Sequence, residues 1–478
     1  MARIDDIVAA IKNNEQAGID RLLEWLAIPS VATDPAYADD TRVAAQWCAD
    51  RLKEAGVDAA LRETGTPDNP GSPIVWAQHA GAADYAGPHV LFYGHYDVQP
   101  ADPLELWESP PFEPVIKPAV PGGPGERIVA RGAVDDKGQV SMFLEALRAW
   151  IEVAGEIPVK FTILIEGEEE SGSVNLDAFL RDNADELKKT DIALISDSDM
   201  PSATQPGITY GLRGMTYVEI RLHGPNQDLH SGLWGGRGPN PNSELVKVLA
   251  QLWDENYHVT IPGFYDNVLA ISDEEREEWK QLGFDQIEAL KKIGLGPEAD
   301  IGEKGFSAIE REWARPTAEI NGIYGGYIGA GAKTVIPAFA TAKVSFRLVA
   351  DQDAEQIRDS FYAWLNERTP AGCRWEMTDL GVGPPGNVSR QSPYLKAASR
   401  ALQGAANGVK PVFIKTGGSI PVVGLLKSIA GLETILMGFG LDDDRIHSPN
   451  EKFELACWRM GVNAHARLIE EFTQMGTR

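Results

Sequence analysis

In the stretch LFYGHYDVQP, a histidine and an aspartate, His95 and Asp97, stand two residues apart just beyond the apolar run Leu91-Phe92-Tyr93. Side chains at i and i+2 of a strand share a face, so an imidazole and a carboxylate leave the end of a buried strand side by side. Further groups of this kind follow. Asp135 and Asp136 are adjacent in RGAVDDKG, and Glu166, Glu168, Glu169 and Glu170 crowd EGEEESGS after the apolar VKFTILI. Asp197 comes just after DIALIS, and His447 opens HSPNEKF downstream of ETILMGF. Singly, each has an ordinary explanation: a hydrogen-bonded strand-end pair, an aspartate N-cap, a solvated charge run, a loop histidine. Together they form a set that leaves one edge of one sheet, the edge where ligands bind in open α/β folds. The chain holds only 8 histidines, and two of them fall at such places. Carboxylates crowded together repel one another unless positive charge sits between them. Imidazole and carboxylate donors suit Zn2+ or Mn2+. The charge balance favours two ions: a pair of dications matches three carboxylates and a hydroxide, whereas a single ion leaves negative charge packed together.

The elements that must hold these residues are legible as short apolar runs alternating with helical stretches: HVLFYG, GQVSMFLEALRAWIEVAG, VKFTILIEG, DIALISD. This βαβ rhythm predicts an α/β fold with a mainly parallel sheet flanked by helices. Helices come first: Ile4, Ile7, Val8 and Ile11 keep helical spacing, and TRVAAQWCADRLKEAGV stops at Gly56. The Pro- and Gly-rich PPFEPVIKPAVPGGPGERIVARG reads as a hairpin-like excursion. After Gly211 the texture changes. MTYVEIRLHG alternates like a strand with one solvated face, followed by the helix NSELVKVLAQLWDEN and acidic helices near 272–292. The strand TAKVSFRLVA, the helix DAEQIRDSFYAWLNER and the strand CRWEMTDL complete a separate α+β domain of ferredoxin-like kind. Near 385 the first texture returns. The chain therefore reads as a discontinuous domain, 1–213 and 386–478, carrying the chemistry and interrupted by an inserted domain, 214–385.

Composition narrows the partners. Asp and Glu total 70 against 44 Lys and Arg, for a formal net charge of −26 over 478 residues. Such a chain repels nucleic-acid backbones and anionic membrane surfaces. Cys48, Cys373 and Cys457 are few, odd in number and far apart, which fits a reducing compartment and argues against a disulfide framework or a thiolate zinc site. No apolar run has the length of a membrane span, and the charged N-terminal segment is not a signal peptide. The expectation is a soluble cytoplasmic protein.

With GHYDVQP, ARGAVDDKG, EGEEESGS, ISDSDM, GLRG, DLHSGLWGG, KTVIP, SFRLV, GGSIPVV and HSPNEKF in this order, the chain resembles a family of dinuclear metallopeptidases. That family is the aminoacylase/carboxypeptidase G/carnosinase group, and the likeness is nearest its cytosolic carnosinase-like dipeptidase branch. The resemblance implies two divalent ions, Zn2+ or Mn2+, bridged by Asp135. His95 and Asp197 would complete one shell, Glu170 and His447 the other. Asp97 would fix the ring of His95, and Glu169 would be the general base. A cis peptide is implied after the bridging residue, at Asp135–Asp136. The inserted domain would be a lid and dimerisation domain, whose His230 reaches the partner subunit's site to stabilise an oxyanion. Arg347 would clamp the substrate carboxylate, with Thr334 and Ser419 as further donors. The implied activity is hydrolysis of the amide bond of dipeptides bearing a free C-terminal carboxylate, by a hydroxide held between the metals. The same centre would also serve a deacylase of N-acyl amino acids, acetylated or succinylated. A metal-dependent binding scaffold is the non-enzymatic alternative. The partners implied are a small peptide and a second copy of the chain. Two departures bear on substrate preference: TDLGVGPPGNV, 378–388, lacks the histidine usual late in the lid, and Lys415 stands where arginine is common.

Overall fold

The computed structural model describes residues 3–120, 122–418 and 420–476, and the chain divides into two compact units. One comprises Met1–Tyr210, Val388–Ile414 and Leu425–Arg478; the other comprises Gly211–Asn387 and Lys415–Gly424. The segment Lys415–Gly424 thus groups with the second unit, although the sequence texture has by then returned to that of the first.

The main strands of the first unit are β1 (Asp58–Arg62), β2 (Ile74–His79), β3 (Val90–His95), β4 (Phe161–Glu166), β5 (Ile192–Ile195) and β6 (Gly207–Leu212). Those of the second are β7 (Gly214–His223), β8 (Thr317–Gly325), β9 (Phe339–Leu348) and β10 (Arg374–Gly383). The chain then returns to the first unit with β11 (Thr434–Leu436).

The first sheet runs β1-β2-β4-β3-β5-β11-β6. Its centre is parallel: β4 with β3, β3 with β5, and β5 with β11. β2 runs against β1 and β4, and β6 runs against β11. Every residue of β3, β4 and β5 is buried, as continuous apolar runs in a sheet covered on both faces require. The helix Lys137–Ala154 packs against the C-terminal helix Leu455–Thr473. Trp150 Nε1 donates to the Ala466 carbonyl at 3.1 Å, and Trp458 Nε1 donates to Ser141 Oγ at 2.9 Å. Phe143 of the first helix stacks on Phe92 of β3, with centroids 3.8 Å apart. The excursion after residue 110 contains the expected antiparallel pair, Val115–Lys117 against Arg127–Val129.

The second unit is a four-stranded antiparallel sheet in the order β8-β9-β7-β10. With helices Pro241–Leu249 and Ala354–Glu367 it has the βαββαβ succession of ferredoxin-like folds. Alternation in β7 buries Val218, Ile220 and Leu222 against Leu245, Phe361 and Trp364. β8 is not among the strands expected from the sequence. TAEINGIYG carries two glycines and an asparagine, which depress strand propensity, and the strand is held as an edge by β9 alone.

The apolar packing of the first unit has a consequence for pH. His465 lies among Phe92, Phe143 and Phe439, with Nε2 2.9 Å from Ser196 Oγ. Burial lowers it to about 3, and burial lowers His89 to about 4. Below about pH 6.5 the unfolded chain takes up protons at both rings that the folded chain refuses, so stability is lost as the pH is lowered. Each ring contributes a slope of about 1.4 kcal/mol per pH unit. Denaturation of His465→Gln between pH 5.5 and 4.5 is expected to show one such increment less than the wild-type chain. An unchanged slope would mean that His465 is protonated in the folded state.

Candidate metal centre

Strand register sets the floor of the site. His95 ends β3 opposite Glu166 of β4, and Tyr93 stands opposite Ile195 of β5. Asp197, two residues past Ile195, is therefore level with His95, while the turn Glu169–Ser171 follows directly on β4. Asp135 arrives from the loop before the helix Lys137–Ala154. It comes close because residue 94 is glycine: a Cβ there would stand 2.4 Å from Val140 Cγ2 and 2.9 Å from Asp136 Oδ2. The Asp135–Asp136 peptide is cis, as the resemblance implies.

Two triads result, and they share Asp135. His95, Asp135 and Asp197 bring donor atoms within 4.8 Å of one another, and so do Asp135, Glu170 and His447. His95 Nε2 lies 3.2 Å from Asp135 Oδ1 and 3.7 Å from Asp197 Oδ2. His447 Nε2 lies 3.0 Å from Asp135 Oδ2 and 3.3 Å from Glu170 Oε2. One oxygen of Asp135 thus faces each histidine.

The set fits dications on two grounds. His95 Nε2 is buried beside two carboxylates and makes no hydrogen bond, so its place among them is unexplained by protein partners alone. The acids are also electrostatically crowded. Burial, then the charge of Asp135, pushes Asp197 up to about 7. Burial, reinforced by Asp197 and Glu170 against the opposing effect of His95, pushes Glu169 up to about 8. Hydrogen bonds to Asp135 and Glu170 raise His447 to about 10. Burial opposes protonation of His95, but Asp135 and Asp97 outweigh it and raise this ring well above its ordinary range. Shifts of this kind mark a need for positive charge, which bound cations would meet.

The surrounding side chains differ in part from expectation. The Nδ1 of His95 is 3.1 Å from the main-chain carbonyl of Asp97, with the Asp97 carboxylate farther off at 3.4 Å. That carboxylate instead accepts the backbone N–H groups of Glu169 at 3.2 Å and Glu170 at 3.0 Å. Asp97 therefore aligns the glutamate turn as well as the histidine ring. Asp136 makes no side-chain cap on the following helix. Its Oδ2 instead accepts the His95 backbone N–H at 3.1 Å. Gln99, within the GHYDVQP stretch but not singled out, donates to Glu170 Oε2 at 2.7 Å. Glu168 is held by Ser72 N at 2.8 Å and by Asn175, and so acts as a brace for the loop.

His230, Thr334 and Arg347 lie in the second unit. His230 is exposed at the start of the helix Ser231–Trp234, where its Nδ1 accepts from Gly232 N at 3.0 Å. The carbonyl of Thr334 accepts from Ser231 N at 3.0 Å, which ties these two loops together. Arg347 is half-buried on β9, in register with Met215 and Thr317. Ser419 lies outside the described residues.

With this fold and this centre, the chain belongs to peptidase family M20/M25/M40, whose model matches residues 91–471. The family works with divalent metal ions. Among its relatives, the Cys-Gly metallodipeptidase DUG1 of Candida albicans is 34% identical, covering 92% of this chain and 91% of its own. The human Beta-Ala-His dipeptidase is 30% identical over 99% of this chain and 94% of its own. The solved structure of the Saccharomyces cerevisiae dipeptidase Dug1p superposes with a TM-score of 0.77 at 27% identity, covering 98% of each chain. That of human carnosine dipeptidase 1 also gives 0.77, at 28% identity, with 99% of this chain and all of that one covered. No helix among the described residues is long and apolar enough to cross a membrane.

Proposed function

We infer that this metallodipeptidase hydrolyses the single amide bond of dipeptides that carry a free C-terminal carboxylate. His95, Asp135 and Asp197 would hold one divalent ion, and Asp135, Glu170 and His447 the other. Zn2+ and Mn2+ suit the imidazole–carboxylate donor set. When bound, the ions supply Lewis-acid polarisation of the amide carbonyl and make water acidic enough to lose a proton near neutrality. Glu169, which binds neither ion in this scheme, takes that proton and returns it to the leaving amine. Asp97 keeps Glu169 and Glu170 in their separate roles by gripping both backbone N–H groups. Arg347 would pair with the substrate carboxylate in a fork of two hydrogen bonds, aided by Thr334 and Ser419. His230 would stabilise the oxyanion in the partner subunit's site, which makes the enzyme a homodimer through the inserted domain. Three unpaired cysteines, two of them buried, support a cytoplasmic setting.

The observation that supports this reading most is the sharing of Asp135 between two triads. Its test is a panel of dipeptides, their C-terminal amides and N-acyl amino acids, run on metal-stripped enzyme with Zn2+ or Mn2+ restored. Dipeptides are expected to turn over only after metal is returned. Amidated dipeptides are expected to react about 100-fold or more slowly, the loss of a buried charge pair. Turnover of N-acyl amino acids alone would overturn the assignment.

A further inference from the structure

Glu451 follows His447 by four residues and is fully buried in the first unit. Its Oε1 accepts the backbone N–H groups of Val134 at 3.0 Å and Asp135 at 3.2 Å. Its Oε2 accepts Gly132 N at 3.0 Å and Arg131 Nη1 at 2.7 Å. A carboxylate offers about four acceptor positions. All are taken here by N–H donors, so none remains for a cation. The other end of Arg131 donates from Nη2 to the Pro100 carbonyl at 3.1 Å, on the loop that follows His95 and Asp97. The main chain closes the same knot: Ala130 N donates to the Glu451 carbonyl at 3.2 Å. The Asp135 and His447 loops, with the segment that follows His95, therefore meet at one buried ion pair that touches no expected substrate or cation position.

We propose that Glu451, seated on Arg131, is a positioning residue that fastens the Asp135 loop to the His447 loop and so sets the affinity of the cation those two share with Glu170. The proposal rests on the metal-centre reading above. It predicts an asymmetry. Two of the three ligands in the Asp135–Glu170–His447 set sit on loops that Glu451 ties, but only one in the His95–Asp135–Asp197 set does. Glu451→Gln keeps the side-chain length yet turns an amide NH2 toward backbone donors, which sets donor against donor. Partners that orient metal ligands typically change affinity by about 10- to 100-fold when altered.

The experiment is Mn2+ titration of the metal-stripped full chain, read from the electron paramagnetic resonance of free Mn2+. Asp197→Asn isolates the Glu170/His447 ion and Glu170→Gln isolates the His95/Asp197 ion. Adding Glu451→Gln to the first background is expected to weaken Mn2+ by about 10- to 100-fold, and to the second by clearly less. Glu451→Asp, which keeps the carboxylate but draws it back by one methylene, is expected to show the same asymmetry more mildly, and it carries the test if Glu451→Gln does not fold. Ile469→Ala, buried in the C-terminal helix away from the loops, controls for lost stability and is expected to leave both affinities unchanged. Equal affinities in the Glu451 variants and the wild-type chain, or an equal loss at both ions, would overturn the proposal while leaving the two-ion centre intact. Failure of the unaltered chain to bind two Mn2+ would instead overturn the metal reading itself.

Discussion

Replacing Glu169 by glutamine is expected to lower kcat by about 100- to 10,000-fold while both cations stay bound. The expectation follows from where the turn Glu169–Ser171 puts its first two side chains. The Asp97 carboxylate grips the N–H groups of both Glu169 and Glu170, and Glu170 faces His447 at 3.3 Å. Glu169 belongs to neither of the two candidate ligand sets. Its carboxyl is buried and pushed up to about 8, so it holds a proton readily; adjacent positive charge favours the ionised form and brings that value down toward neutrality. Glutamine preserves shape and burial but cannot carry a proton between water and amine. Metal content measured beside single-turnover kinetics separates the outcomes. Lost turnover with two ions retained supports the general-base role, and lost turnover with lost ions would make Glu169 a ligand instead.

The second large effect is expected at Asp135. Asp135→Ala removes an oxygen from each triad, so both ions should be lost and activity should fall to background. Glu170→Ala touches one triad only and should leave the ion at His95 and Asp197 in place. Element analysis after dialysis distinguishes the two variants. Two ions surviving in Asp135→Ala would contradict the bridging geometry, in which its Oδ1 lies 3.2 Å from one histidine and its Oδ2 3.0 Å from the other.

The residues of the centre were legible because each stands at a place that local pattern marks. His95, Glu170 and Asp197 follow apolar runs that can only be buried strands, and Asp135 precedes an amphipathic helix. The supporting contacts were less legible, because they depend on which loops meet. Asp97 looked like a partner for a ring and also proved to be the clamp of a turn some seventy residues on, at 3.2 and 3.0 Å. Asp136 has the right type for an N-cap, yet its carboxylate accepts the His95 N–H instead. Glu451 sat in plain view inside HSPNEKF, but nothing local says that its acceptors serve a loop more than 300 residues earlier. In the second unit, β8 escaped because glycine and asparagine mask a strand that pairing with β9 imposes.

Anomalous diffraction from crystals of the chain loaded with Mn2+ would locate the ions themselves. Two peaks are expected, about 3.5–4 Å apart, one on each side of the Asp135 carboxylate. One should lie within ligand distance of His95 and Asp197, the other of Glu170 and His447. A single peak, or peaks that leave Asp135 untouched, would contradict the sharing of Asp135 by two ions.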